Sequence, residues 1–282
     1  MSIEAKNISL IYNGSSPVLD NISFKINNGE YVGIIGHTGS GKTSLIQLIS
    51  GLIEPSSGQM LIDGNDINKK GYDRTLLRQK IGIVFQYPEY QLFETTVERD
   101  VAFSLKYSAI SKEEKSKKVE SALTLMNFDY ESIRKKSPLS LSGGERRRVA
   151  IAGVLIYEPG ILIFDEPLAG LDPISRLRFM ELTKKLNEKG TTIIVVSHNI
   201  DMLCEYAKRI LVFNDGRLVS DASSSDTFSD IKKLSKFGIR AGQIRNTAQH
   251  LYDNNIITDP NIIHYDELLN AVTKALTKGR RP

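Results

Sequence analysis

The sequence predicts an α/β protein built on a mainly parallel sheet, and three observations predict it. Four short, near-continuous apolar runs alternate with helix-like stretches. Each run ends in polar or glycine residues, as strands buried on both faces do. The first leads straight into the glycine-rich segment GHTGSGKT at 36–43 and then the helix-like SLIQLISGL.

The runs are YVGIIG (31–36), KIGIVFQ (80–86), GILIFDE (160–166) and TTIIVVSH (191–198). Parallel sheets bind ligands at the carboxyl ends of their strands, which directs attention to Gly36, Gln86, Asp165, Glu166 and His198. From about residue 87 to 150 the pattern turns helical. There EKSKKVESALTLMNF places Val119, Ala122, Leu123 and Met126 at helical spacing, the mark of an insert in the sheet. The run Ala222-Ser223-Ser224-Ser225 reads as a linker, dividing a main domain (1–221) from an appendage (222–282). Within the appendage, Asp266 to Lys278 predicts a helix with Leu268, Leu269, Val272, Ala275 and Leu276 on one face and a stop at Gly279. The closing Lys278-Gly279-Arg280-Arg281 reads as a solvated tail. No internal repeat is visible.

Composition bounds the function. The 282 residues suit one large domain and a small companion, and 25% charged with 40% apolar residues argues against wholesale disorder. A net charge of +4 is too mild to imply nucleic acid, so no nucleic-acid partner is expected. Cys204 is the single cysteine and cannot close an internal disulfide, which points to a reducing compartment and a small buried apolar role for the thiol. The opening MSIEAKNISLIY lacks the basic and apolar regions of a signal peptide. No apolar run approaches the ~20 residues that cross a bilayer, so the chain is not expected to span one.

GHTGSGKT fits the phosphate-binding pattern G-x-x-x-x-G-K-[ST]. A nucleotide tail carries several negative charges that must be held without water. Backbone N–H groups freed by Gly36, Gly39 and Gly41, and running through His37, Thr38, Ser40 and Ser44, can wrap a phosphate at the start of a helix. Lys42 supplies a flexible cation, and Thr43 a hydroxyl for Mg²⁺, which takes oxygen ligands. In ILIFDE, an apolar strand delivers two carboxylates. Asp165 would orient Mg²⁺ through water, and Glu166 would polarise the attacking water as general base. In LSGGERRR (141–148), Ser142 and the N–H groups of Gly143 and Gly144, at the start of the helix RRRVAIAGVLI, make a second anion nest.

LSGGE, lying about twenty residues before ILIFDE, resembles the signature of the ABC ATPase superfamily, and the likeness extends over residues 1 to about 220. It implies a P-loop NTPase fold, RecA-like, mainly parallel with an antiparallel β part, a helical insert and a small helical or α+β appendage. It implies an ATPase using ATP and Mg²⁺, with two subunits meeting head to tail. The Ser142-Gly143-Gly144 nest would then face the γ-phosphate held by the opposite subunit, and Arg146, Arg147 and Arg148 would be helix-surface charges. Tyr12 matches the aromatic that stacks on adenine, or is an ordinary strand tyrosine. Gln86 matches the glutamine that senses Mg²⁺ and water, joining Thr43 and Asp165 around the metal. Asp172 in LAGLD matches the loop that crosses the dimer interface, and His198 the switch histidine that holds the γ-phosphate and Glu166 in register.

A finer likeness is present. FQYPEYQLFETTVERDVAF (85–103), with Pro88, Gln91, Leu92 and Phe93, is similar to the energy-coupling-factor ATPases that drive vitamin and cobalt or nickel uptake. The chain departs from their usual Gly-Pro-Glu-Asn continuation at Ser104-Leu105-Lys106-Tyr107. The segment FGIRAGQIRNTAQHLYDNNI followed by YDELLNAV is similar to their C-terminal segment, which helps two ATPases dimerise. Ile239-Arg240-Ala241-Gly242 stands where a proline-rich turn is usual, and a solvated amphipathic helix pair is the other reading. Tyr87, Tyr90, Leu92 and Phe93 either line a groove for a helix of the membrane subunit or pack within the insert. The resemblance implies a homodimer, or a heterodimer with a related ATPase, together with a transmembrane coupling subunit and a substrate-binding membrane subunit. It places the chain at the cytoplasmic face of the cell membrane. Another ABC importer or exporter subgroup is the nearer alternative. A soluble ABC ATPase acting on DNA or ribosomes is disfavoured by one cassette, a short insert and no cysteine cluster. The cargo, cobalt, nickel or a vitamin, leaves no mark in these residues.

Overall fold

The computed structural model describes residues 1–278 except Asn13 and Ser15, so the stop expected at Gly279 and the tail at Arg280 and Arg281 lie outside the described residues. The strands are β1 (Ile3–Leu10), β2 (Leu19–Ile26), β3 (Tyr31–Ile35), β4 (Ser57–Ile62), β5 (Asn65–Asp66), β6 (Ile81–Val84), β7 (Ile161–Asp165), β8 (Thr192–Val196), β9 (Arg209–Asn214) and β10 (Arg217–Ser223). The helices begin with α1 (Lys42–Ile49), α2 (Arg74–Lys80), α3 (Val97–Ala102), α4 (Lys112–Leu125), α5 (Tyr130–Ile133) and α6 (Gly143–Leu155). They continue with α7 (Pro173–Glu188), α8 (Ile200–Tyr206), α9 (Ser224–Ser229), α10 (Ile231–Lys236), α11 (Gln243–Asp253) and α12 (Tyr265–Lys278). The chain divides into two compact units, residues 1–72 with 182–282, and residues 73–181.

In the first unit, β2-β1-β4-β5 form an antiparallel sheet. Along β2, Leu19, Ile22, Phe24 and Ile26 are buried while Asn21, Ser23 and Lys25 are exposed, the one-sided pattern of such a sheet. Next in this unit, β10, β9, β3 and β8 lie side by side, with β3 parallel to both β8 and β9. Every residue of β3 and β8 is buried, which explains their unbroken apolar runs. In the second unit β6 and β7 pair in parallel, and Gly82 lets them close up. A Cβ there would stand 2.8 Å from both Leu162 Cδ2 and Val154 Cγ1. α2 and α6 pack against β6, and α4 with its C-cap Met126 buries Val119, Ala122, Leu123 and Met126 as their spacing predicts. Ser111 and Glu114 start that helix with a reciprocal capping box.

Two sequence expectations are corrected. The serine run is not a linker: Ser223 ends β10 and caps α9, and buried Ser224 donates its hydroxyl to the Ala207 carbonyl at 2.6 Å. Serines favour caps as readily as loose turns, which composition does not distinguish. Arg147 is not a surface charge. It is buried, donating to the Pro167 and Ala169 carbonyls, whereas Arg146 and Arg148 are half-buried and Arg148 stacks on Phe128 at 4.6 Å. The expected apolar face of α12 is present but only partly covered. Leu268 and Val272 pack with Ala248, Ile257 and Ile262, while Leu269 and Leu276 are 51% and 65% exposed. At about 100° per residue, the five expected residues share one arc of about 120°.

Candidate functional site

Strand register fixes the site residues before any side chain is considered. Ile34 pairs with Val196 across β3 and β8, so Gly36 and His198 each follow a paired position by two residues. In the second unit Val84 pairs with Phe164, and Gln86 and Glu166 likewise each follow by two. Each unit therefore presents two of the expected residues together at the carboxyl edge of a parallel pair, where ligands bind.

The glycine-rich segment 36–43 is shaped for close backbone approach. Gly39 and Gly41 have φ of 85° and 99°, and a Cβ on Gly41 would stand 2.6 Å from Leu19 Cδ2 and 2.9 Å from the Val18 carbonyl. At Gly36 a Cβ would collide with the Phe213 carbonyl and the Ser40 hydroxyl. Gly41 caps α1 without a side chain, and the first turn of α1 holds no acid, so nothing there opposes the positive end of its dipole. Lys42 is largely buried, and its Nζ donates to the Gly36 and His37 carbonyls at 2.7 and 2.8 Å, folded across the loop. Thr43 is exposed in the first turn of α1 and Ser44 half-buried behind it. The His37 ring bridges the Thr38 carbonyl at 2.8 Å and the Asp215 carboxylate at 3.1 Å.

In the second unit, Asp165 is the last residue of β7 and is half-buried, as is Glu166. Glu166 adopts φ 48°, a left-handed conformation that costs a non-glycine residue about 1–3 kcal/mol and clusters at functional sites. Arg147 clamps the turn that follows through the Pro167 and Ala169 carbonyls, and burial holds its guanidinium below its usual range. Gln86 is exposed in a bend just past β6.

The anion nest has open backbone. Gly143 and Gly144 begin α6, and a Cβ on either would meet nothing within 4 Å. Ser142 caps the helix, accepting from Glu145 N–H at 3.3 Å while its hydroxyl donates to Glu145 Oε2 at 2.6 Å. That bond holds the Glu145 carboxyl below the usual range. For its hydroxyl to donate to a phosphate, Ser142 must give up Glu145. Asp172 caps α7, accepting N–H groups of Ile174 and Ser175 at 3.0 Å each, and these bonds, the Ser175 hydroxyl first, keep it ionised below its ordinary range. Tyr12 lies exposed two residues past β1, and His198 exposed just past β8.

Two residues near the site escaped the sequence reading. Asp215 is one, although the Asn214-Asp215-Gly216 turn carries a hairpin signal. Arg147 is the other. It shares the helical phase of buried Ile151 and Leu155, four and eight residues on, and that phase was the available clue.

The ABC transporter family matches residues 19–169. The energy-coupling factor transporter ATP-binding protein EcfA2 of Clostridium tetani is 42% identical over 279 residues, covering 97% of each chain. Its counterpart in Clostridium perfringens is 44% identical over 249 residues, covering 86% of this chain and 87% of that one. Among solved structures, cbiO1 of Clostridium perfringens, described as part of the ABC transporter complex cbiONQ, superposes with a TM-score of 0.74 at 35% identity. It covers 83% of this chain and 94% of its own. A dimeric ATP-binding cassette in a post-hydrolysis state, bound to ADP and Pi, gives a TM-score of 0.70 at 32% identity, with 79% and 98% covered.

Proposed function

This chain belongs to the ABC transporter family, among the ATP-hydrolysing subunits of energy-coupling factor importers, and we propose that it works as one half of a head-to-tail ATPase pair. The pair would sit at the cytoplasmic face of the cell membrane, peripheral to it, and drive a transmembrane coupling subunit and a substrate-binding membrane subunit. One observation carries this reading: the likeness to EcfA2 runs over 97% of the chain and so includes the C-terminal helices beyond the cassette. The numbered name of those relatives favours a second, related ATPase as the other half. The cargo, a metal ion or a vitamin, would be chosen by the membrane subunits.

The residues fit the chemistry. The glycine cradle and the start of α1 would hold the β-phosphate, with Lys42 Nζ exchanging the Gly36 and His37 carbonyls for phosphate oxygens. Thr43 and Asp165 offer the oxygen donors that a hard Mg²⁺ prefers, joined by Gln86, and the bound cation would offset phosphate charge. Glu166 would take the proton of the attacking water while His198 holds the γ-phosphate in line. Tyr12 would stack on adenine. The Ser142-Gly143-Gly144 nest would face the nucleotide held by the other subunit, with Asp172 at the interface. ATP bound between two such surfaces would favour the closed pair, and hydrolysis would release it.

Affinity purification from the native host's membranes tests this. Recovery of a second ATPase, a polytopic coupling protein and a small substrate-binding membrane protein is expected. Recovery of only ribosomal or DNA-associated proteins would overturn the transport role.

A further inference from the structure

The helix that follows His198 is built into the C-terminal segment by two carboxylates. Asn199, the next residue, caps α8 by accepting the Met202 N–H at 3.1 Å, and its own N–H donates to the Ser197 hydroxyl at 3.1 Å. On α8 itself, Asp201 and Glu205 stand four residues apart and so share one face. Asp201 accepts the N–H groups of Gln243 and Ile244 at 2.8 and 3.1 Å, which are the first two of α11. The α11 cap, Gly242, has no side chain to satisfy them, and a Cβ there would run into Asp201 Oδ1. Glu205 accepts the Tyr265 N–H that opens α12 at 2.8 Å, and its second oxygen lies 3.6 Å from His264 Nδ1.

The starts of α11 and α12 thus both donate N–H groups to carboxylates of α8. The two helices also share one apolar cluster, Ala248, Ile257 and Ile262 with Leu268 and Val272, which packs them against each other. Asp201 lies three residues beyond His198, in the first turn of α8, with the cap Asn199 between, so a displacement of the helix pair would reach the histidine through the start of α8.

We propose that Asp201 and Glu205 are positioning residues, through which the C-terminal helix pair sets the placement of His198 and thereby the turnover of ATP. The proposal rests on the reading of His198 as the group that holds the γ-phosphate.

The test separates kcat from KM for ATP in the full-length chain co-purified with its membrane partners. Asp201→Ala should lower kcat about tenfold or more, the scale on which small misplacements act, with KM within about twofold. Asp201→Asn, which keeps one of the two acceptor oxygens for the α11 N–H groups, should restore part of the rate. Gly242→Ala keeps the carboxylate but drives a Cβ onto it, and should lower kcat as Asp201→Ala does. Glu205→Ala, which removes the α12 contact alone, serves where Asp201→Ala does not fold. A lowered melting temperature with parental kcat in Asp201→Ala and Gly242→Ala would overturn the proposal. Parental kcat in His198→Ala would sink the histidine's role, and the proposal with it. Lost turnover in His198→Ala beside parental kcat in Asp201→Ala would sink the positioning alone.

Discussion

Gly41 shows how much a single missing methyl group decides. Its φ of 99° and the 2.6 Å approach of Leu19 Cδ2 leave no place for a Cβ. Gly41→Ala should therefore cost about 1–3 kcal/mol and abolish nucleotide binding, measured by thermal melting and titration with a fluorescent ATP analogue. Cys204 makes a second case at this scale. Burial, with Asp201 and Glu205 adding to it, pushes its thiol up to about 12 from the ordinary 9.0. The folded chain holds the thiol proton more tightly than the unfolded one does. This contribution is complete below pH 9.0 and is lost as pH rises through 9.0 towards 12. The folded protein should resist thiol reagents at pH 8, and Cys204→Ala should flatten the fall of melting temperature above pH 9. Rapid labelling of the folded chain would contradict the first expectation. These residue types were legible as motif members, but the neighbours that constrain them were not. Leu19 and Phe213 lie far from the phosphate loop in sequence.

Elements were read best where burial is nearly complete. β3, β6, β7 and β8 fall inside the four apolar runs, since strands covered on both faces leave no polar alternation to confuse. KIGIVFQ was read two residues too far, because the chain bends at Gln86. The helix α6 shows the opposite limit. Three consecutive arginines look alike in a sequence, yet the helical phase sends only Arg147 inward, to the turn after Glu166. Arg147→Ala should destabilise by about 1.5–3 kcal/mol, the range for hydrogen bonds to a charged group, and lower ATP turnover by loosening that turn. A melting curve and a turnover assay on the same variant would show both. The aromatic run after Gln86 is a surface feature, with Tyr90 83% and Phe93 64% exposed, and Phe93 meets Phe103 edge-on at 4.7 Å. Phe93→Ser should leave fold and ATP hydrolysis intact while weakening recovery of the membrane subunit. Unchanged recovery would return these residues to packing within their own helices.

For the whole molecule, the order of motifs announced the family, because phosphate transfer demands a cradle, a metal carboxylate, a base and a sensor at strand ends. The paired registers put Gly36 level with His198, and Gln86 level with Glu166, within each unit. What the sequence did not disclose is how the C-terminal helices are tied to α8, since a cap donated from forty or sixty residues away leaves no local pattern. The most direct measurement is ATP turnover by Glu166→Gln, made alongside the size of the assembly in ATP. Turnover should fall ~10²–10⁴-fold while an ATP-bound pair accumulates. Hydrolysis at the parental rate would mean that Glu166 is not the base and that the strand-end chemistry lies elsewhere.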